Sequence, residues 1–188
     1  MLSDDISAII TQLYDISGND HNCGFYGRGK KAILEKVMKS PEARNLLLEC
    51  GDTIPITKNV LKTLKKFVLK FVYGSKKATC AEARADQWKS RKKKNTQRLV
   101  PDEDTLEHIC IRANYLSYCQ KQYQLKSHPS PIGNGWEIIN GKCRPVRHSI
   151  PALPENLCQQ DFSSDTQSSS EDESDPTDIE TSDSEPDD

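Results

Sequence analysis

One segment of this chain is barred from any hydrophobic core, and that restriction shapes the reading of the rest. Residues 161–188 hold 12 Asp and Glu and no Lys or Arg, with Phe162 and Ile179 as their only large apolar side chains. Such a stretch cannot bury enough surface to offset the entropy of ordering it, so it reads as a disordered, acidic, Ser-rich tail from about residue 159. Folding is left to what precedes it. The whole chain has 26 Lys and Arg against 28 Asp and Glu, a formal net charge of −2. Setting aside the tail's 12 acids leaves 16 acidic and 26 basic residues in 1–160, a balance of +10. That balance suits a polyanionic partner such as nucleic acid, or the acidic tail itself; a merely solvated basic surface fits it equally.

No apolar run approaches the roughly 18 residues that a membrane-spanning helix needs, so no membrane partner is expected. The acidic start, Met1 to Asp5, leads into no long apolar stretch, which argues against a secretory leader. The seven cysteines include no C-x-x-C pair and point to reduced thiols. A zinc site from His108, Cys110, Cys119 and Cys143 has a spacing unlike common zinc modules, and Cys110 better suits a core. No cofactor is expected.

Periodicity predicts a mainly α fold: a compact multi-helix domain with a small β-hairpin, followed by the tail. Ser3 caps a helix carrying Ile6, Ile9, Ile10 and Leu13, which Gly18 ends. Lys30–Met38 is helical through Ile33, Leu34 and Val37. Ser40-Pro41 opens the next helix, to about Glu49, with Ser as cap and Pro at its first position. Thr57 caps the clearest amphipathic helix, about 58–73. Its stripe is Val60, Leu61, Leu64, Phe67, Val68, Phe71 and Val72, and Lys58, Lys62, Lys65, Lys66 and Lys70 lie opposite. Thr79 caps a helix from about Cys80 into Arg91-Lys92-Lys93-Lys94. Asp102–Gln122 forms the last, with Leu106, Ile109, Cys110, Ala113 and Leu116 as its stripe.

After residue 125 the texture changes. Residues 1–125 read as the helical domain and 126–158 as a Pro/Gly-rich segment. Within it Asn140-Gly141 sits between Trp136–Ile139 and Lys142–Arg144, a strong two-residue hairpin signal. A lone hairpin is marginal in water, so Trp136 is expected to anchor it on the helices. Arg112, Asn114 and Tyr115 lie beside their helix's stripe and are expected to face that hairpin.

The chemistry-bearing segment is the glycine loop 17–31. Gly27-Arg28-Gly29-Lys30-Lys31 stands immediately before a helix. Unpaired amides at a helix start, together with Arg28, Lys30 and Lys31, can hold phosphate, and Gly27 and Gly29 permit close approach. The segment matches neither a P-loop nor a dinucleotide fingerprint. An ordinary helix connection is the other reading.

Gly18-Asn19-Asp20 followed by Gly27-Arg28-Gly29-Lys30-Lys31-Ala32 resembles a segment of PIN-like nucleases related to flap endonucleases. The wider pattern resembles a group of invertebrate proteins, often transposon-associated. It includes Leu99-Val100-Pro101, Arg112–Tyr115 and Pro129–Trp136, and spans about 13–155. The resemblance implies that the G-x-G segment opens a helix–hairpin–helix-like element gripping a DNA backbone, and that Asp20 corresponds to a metal-binding carboxylate. Two-metal chemistry needs several carboxylates, which Asp20, or Asp20 with Asp15, does not supply. The acid-bearing core of such nucleases is not found ahead of the loop. The expectation is therefore a non-enzymatic nucleic-acid- or protein-binding remnant of this family, touching DNA or RNA through Gly27–Lys31 and Arg91–Lys94. The alternatives are a nuclease subunit active only with a separate catalytic core, and a structural scaffold. Lys89–Lys94 is a basic cluster of the nuclear-import type.

Overall fold

The computed structural model describes residues 4–90 and 95–149, with side chains from Ile6 on. The Ser3 cap, Arg91–Lys94 and the acidic tail lie outside the described residues. The chain divides into Met1–Ala152 and Leu153–Asp188, and the second unit is wholly outside that description.

The described part is mainly helical, with one two-stranded antiparallel hairpin. The helices are α1 (Asp4–Ser7), α2 (Ile10–Ser17), α3 (Lys30–Lys39), α4 (Pro41–Asn45), α5 (Lys58–Phe67), α6 (Cys80–Ser90) and α7 (Glu103–Lys121). A π-helical turn, Val68–Val72, continues α5, and a short 3-10 turn covers Thr96–Arg98. The 19 residues of α7 make a rod about 28 Å long. It packs chiefly against α2 and α5. The core lies among these helices: Ile9, Leu13, Ile16, Ile33, Val37, Leu64, Phe67, Leu106, Cys110 and Ala113 are all buried. No described helix is long and apolar enough to cross a membrane.

The capping residues act as their chemistry requires, each side-chain oxygen accepting from an otherwise orphan amide. Ser40 accepts from Ala43 N at 3.2 Å, Thr57 from Val60 N at 3.2 Å and Thr79 from Glu82 N at 3.3 Å. Asp102 is itself a cap, accepting from Thr105 N at 2.8 Å, so α7 starts one residue later than expected.

Three elements differ from the periodicity. The first helix is interrupted: Ile9 adopts φ −119° and ψ 1°, its N–H bonding three residues back to Ile6 O at 3.1 Å. The break keeps both Ile6 and Ile9 buried. The Ser40-Pro41 helix ends at Asn45 and continues as turns to Gly51. In the turn after α5, Tyr73 N–H bonds to Val68 O, five residues back, at 3.0 Å. The extra residue in that turn rotates Leu69 into the core and leaves Phe71 half-buried, though Phe71 belonged to the expected stripe.

The hairpin pairs β1 (Trp136–Ile139) with β2 (Lys142–Pro145) in the register Ile139 to Lys142 and Trp136 to Pro145. Its turn has positive φ at both Asn140 (51°) and Gly141 (72°), the geometry that twists with the strands. Tyr115 of α7 meets Trp136 edge to face, ring centroids 5.1 Å apart, and Tyr115 Oη donates to Pro129 O at 2.8 Å. The expected anchoring of the hairpin on the helices is realised there.

Candidate functional site

The glycine loop is held by a buried polar scaffold that joins α2 to α7. Asp15, on α2, accepts from Ser117 Oγ at 2.8 Å, Gln120 Nε2 at 3.1 Å and Asn19 Nδ2 at 2.8 Å. Burial pushes its carboxyl up to about 6, although these hydrogen bonds pull the other way. Asn22 donates to Asp15 O at 3.0 Å and to Ile109 O at 3.1 Å, and accepts from Arg112 Nε at 3.1 Å. Arg112 also donates to Gly135 O and Val146 O, so one buried guanidinium joins the loop to both ends of the hairpin segment. Asn114 turns the other way, accepting from Gly51 N at 2.8 Å and donating to Thr53 O at 2.9 Å. Polar side chains thus occupy α7 positions where Leu116, of the expected stripe, is only half-buried.

Within the loop, Asn19 Oδ1 accepts from the amides of His21 and Asn22, both at 2.9 Å. The close approach occurs at Gly18, whose φ is +104°: a Cβ there would stand 2.3 Å from Gly24 Cα. Gly29 behaves differently from expectation. Its φ is −69° and a Cβ there would meet nothing within 4 Å, so it is not the position where a side chain would clash. Gly27, at φ +70°, does need the left-handed region, and the Arg98 side chain runs beside it.

What results is an open, shallow cleft of about 540 Å³ in front of α3, lined by Asn19, Tyr26, Arg28, Gly29 and Lys30 among others. The first intrahelical bond of α3 runs from Ile33 N to Gly29 O at 3.2 Å, so the amides of Lys30, Lys31 and Ala32 have no acceptor within the helix, while Arg28 N is taken by Phe25 O at 2.9 Å. Lys30 Nζ lies 4.1 Å from the Tyr14 ring centroid and Arg28 Cζ lies 5.0 Å from that of Tyr73. These cation–π contacts hold the charges at the cleft without neutralising them. Arg28, Lys30 and Lys31 have no carboxylate partner among the described residues. Tyr14 and Tyr26 are exposed beside them, and the sequence reading had singled out neither.

The structure separates the second basic feature, the lysine face of α5, from this cleft's lining. That face forms one wall of a groove of about 880 Å³, closed on the other side by residues 74–78. Lys76 and Lys77 join it there, an addition that the helix pattern did not reveal. Three of the five α5-face lysines are already engaged. Lys65 bonds Glu103 at 2.8 Å and Glu107 at 2.7 Å; burial opposes its charge, but the two carboxylates hold its pKa above the ordinary value. Lys70 and Lys66 both reach Glu42, at 2.6 and 3.3 Å, and their hydrogen bonds lower its pKa.

Neither metal reading is assembled by the fold. Asp20 is exposed, whereas Asp15 is buried with its oxygens occupied by three donors, so the two do not form a carboxylate pair. Cys110 is fully buried in the core and Cys143 is exposed on the hairpin. Among the described residues no group of three or more His, Cys, Asp or Glu is placed to hold a metal ion. Arg91, Lys92, Lys93 and Lys94 lie outside the described residues. Comparisons of the chain with protein-family models, with curated proteins and with solved structures find no match.

Proposed function

We propose that this chain is a non-enzymatic nucleic-acid-binding module whose phosphate contacts are made at the start of α3. One observation carries the reading: Arg28, Lys30 and Lys31 gather at an open helix start without carboxylate partners among the described residues. Amides without an intrahelical acceptor at a helix start favour anions, and each nearby cation adds to the attraction. The exposed rings of Tyr14 and Tyr26 offer flat faces on which a base can stack, as in single-strand binders. The kinship with transposon-associated, PIN-like proteins and a nuclear location belong to this proposal and rest on sequence resemblance and the Lys89–Lys94 cluster.

The test is fluorescence anisotropy of the full chain with single-stranded and duplex oligonucleotides over rising salt. Changing Arg28, Lys30 and Lys31 together to Ala is expected to weaken binding about tenfold or more at low salt. It should also flatten the log-affinity against log-salt slope by roughly 0.7–0.9 per lost phosphate contact. An unchanged slope would sink the reading.

A further inference from the structure

Tyr26 stands in a turn that the fold holds at both ends. Arg28 N–H bonds to Phe25 O at 2.9 Å, and Gly27 supplies the positive φ, +70°, that a type II turn needs at its third position. Phe25 is buried edge-on against the Tyr73 ring, centroids 5.7 Å apart, and Arg28 Cζ lies 5.0 Å from the centre of that same ring. Inside this fixed turn Tyr26 is 56% exposed, and it lines the α3 cleft beside Arg28, Gly29 and Lys30. Its ring has no aromatic or cation–π partner among the described residues. Tyr14 differs, because the Lys30 ammonium already stands 4.1 Å over its ring.

A phosphate is served by cations and amides and gains little from an aromatic ring. A nucleobase is served by the ring: its flat face stacks there, and a platform on a fixed backbone costs little to order. In a duplex each base is paired and stacked between its neighbours, so it has no free face to offer. Resting on the nucleic-acid reading of this site, we infer that the α3 cleft selects single strands, with an unpaired base stacked on Tyr26 and the adjoining phosphate at Arg28 and Lys30. Tyr26 is then the residue that tells a single strand from a duplex, while the cations set affinity for the backbone that both share.

The experiment measures fluorescence anisotropy of the full chain, over rising salt, with three labelled probes of equal length. They are a thymidine single strand, the same sugar–phosphate strand without bases, and a blunt duplex. The thymidine strand is expected to bind about tenfold or more tightly than the abasic strand. Tyr26→Ala should abolish that difference and leave the abasic and duplex affinities unchanged, with native circular dichroism. Tyr26→Trp, which keeps a stacking ring, should preserve it. Equal binding of the thymidine and abasic strands overturns the inference, for the site would then take any polyphosphate. So does a Tyr26→Ala protein that still tells the two apart, or that weakens on the duplex by the same factor. In each of these cases the nucleic-acid reading stands if changing Arg28, Lys30 and Lys31 to Ala still flattens the salt slope. If no probe binds, or if that slope is unchanged, the nucleic-acid reading fails and this inference with it.

Discussion

The α3 cleft and the α5 groove are both basic, yet they are built on opposite principles. At the cleft the cations stand over aromatic rings and beside open amides, on a glycine loop whose shape is set by a buried Asp–Asn–Arg scaffold. At the groove most α5-face lysines are tied to Glu42, Glu103 and Glu107, and the surface between them is aliphatic. Counting charges would rank the groove first as a phosphate site. Asking which charges stand beside open helix-start amides and aromatic rings reverses that order. Net charge measures attraction at a distance, while pairing and apolar surface decide which chemistry is favoured on contact.

The comparison breaks most sharply at the loop. Gly18→Ala is expected to destabilise the protein by about 4 kcal/mol, because a Cβ cannot coexist with Gly24 Cα at 2.3 Å and the backbone is at φ +104°. Urea unfolding measures this, and Gly29→Ala is the control, with a cost below about 1 kcal/mol. A similar cost for both would mean that the loop is not closed at Gly18.

The scaffold beneath the loop gives a pH test. An unfolded Asp15 titrates near its ordinary 3.8, and the folded one at about 6. Below about pH 4 the carboxyl is largely protonated in both states. As pH rises, the unfolded chain releases its proton first, so stability falls through the window up to about 6. The loss from pH 4 to pH 6 is about 2 kcal/mol relative to Asp15→Asn, which lacks the titration. A constant gap between the two proteins across that range would show that Asp15 ionises freely.

The smallest effect belongs to the groove. Lys66→Ala should change stability by less than about 0.5 kcal/mol, because its bond to Glu42 is exposed and Lys70 remains to pair that carboxylate. Thermal unfolding resolves the point. A cost above about 1 kcal/mol would mean that the α5 lysines act as a coupled network.

Local rules were legible before any tertiary structure. Ser40, Thr57 and Thr79 cap helices because a side-chain oxygen beside orphan amides has one good use. Asn140-Gly141 turns the hairpin because both positions require positive φ. The mainly helical class followed from the spacing of apolar residues. The candidate cleft was legible only as a basic G-x-G before a helix. Tyr14 and Arg98, outside that segment in sequence, reach it only once the chain is folded.

The rest was decided by long-range contacts, for which no local pattern exists. Arg112 and Asn114 read as polar residues facing the hairpin, yet their burial depends on partners some 90 and 60 positions away, Asn22 and Gly51, that no local pattern identifies. Whether the cost of burying a polar group is offset depends on where its partners stand in space. The same holds for Leu69, which a single wide helical turn moves from outside the expected stripe into the core and the groove wall. Sequence alone determined which segments coil, where the capped helices begin and where charge accumulates, because those depend on neighbours within a few residues. Tertiary structure decided which charges are neutralised, which polar groups are hidden and which glycine cannot be replaced, because each depends on an atom contributed by another part of the chain.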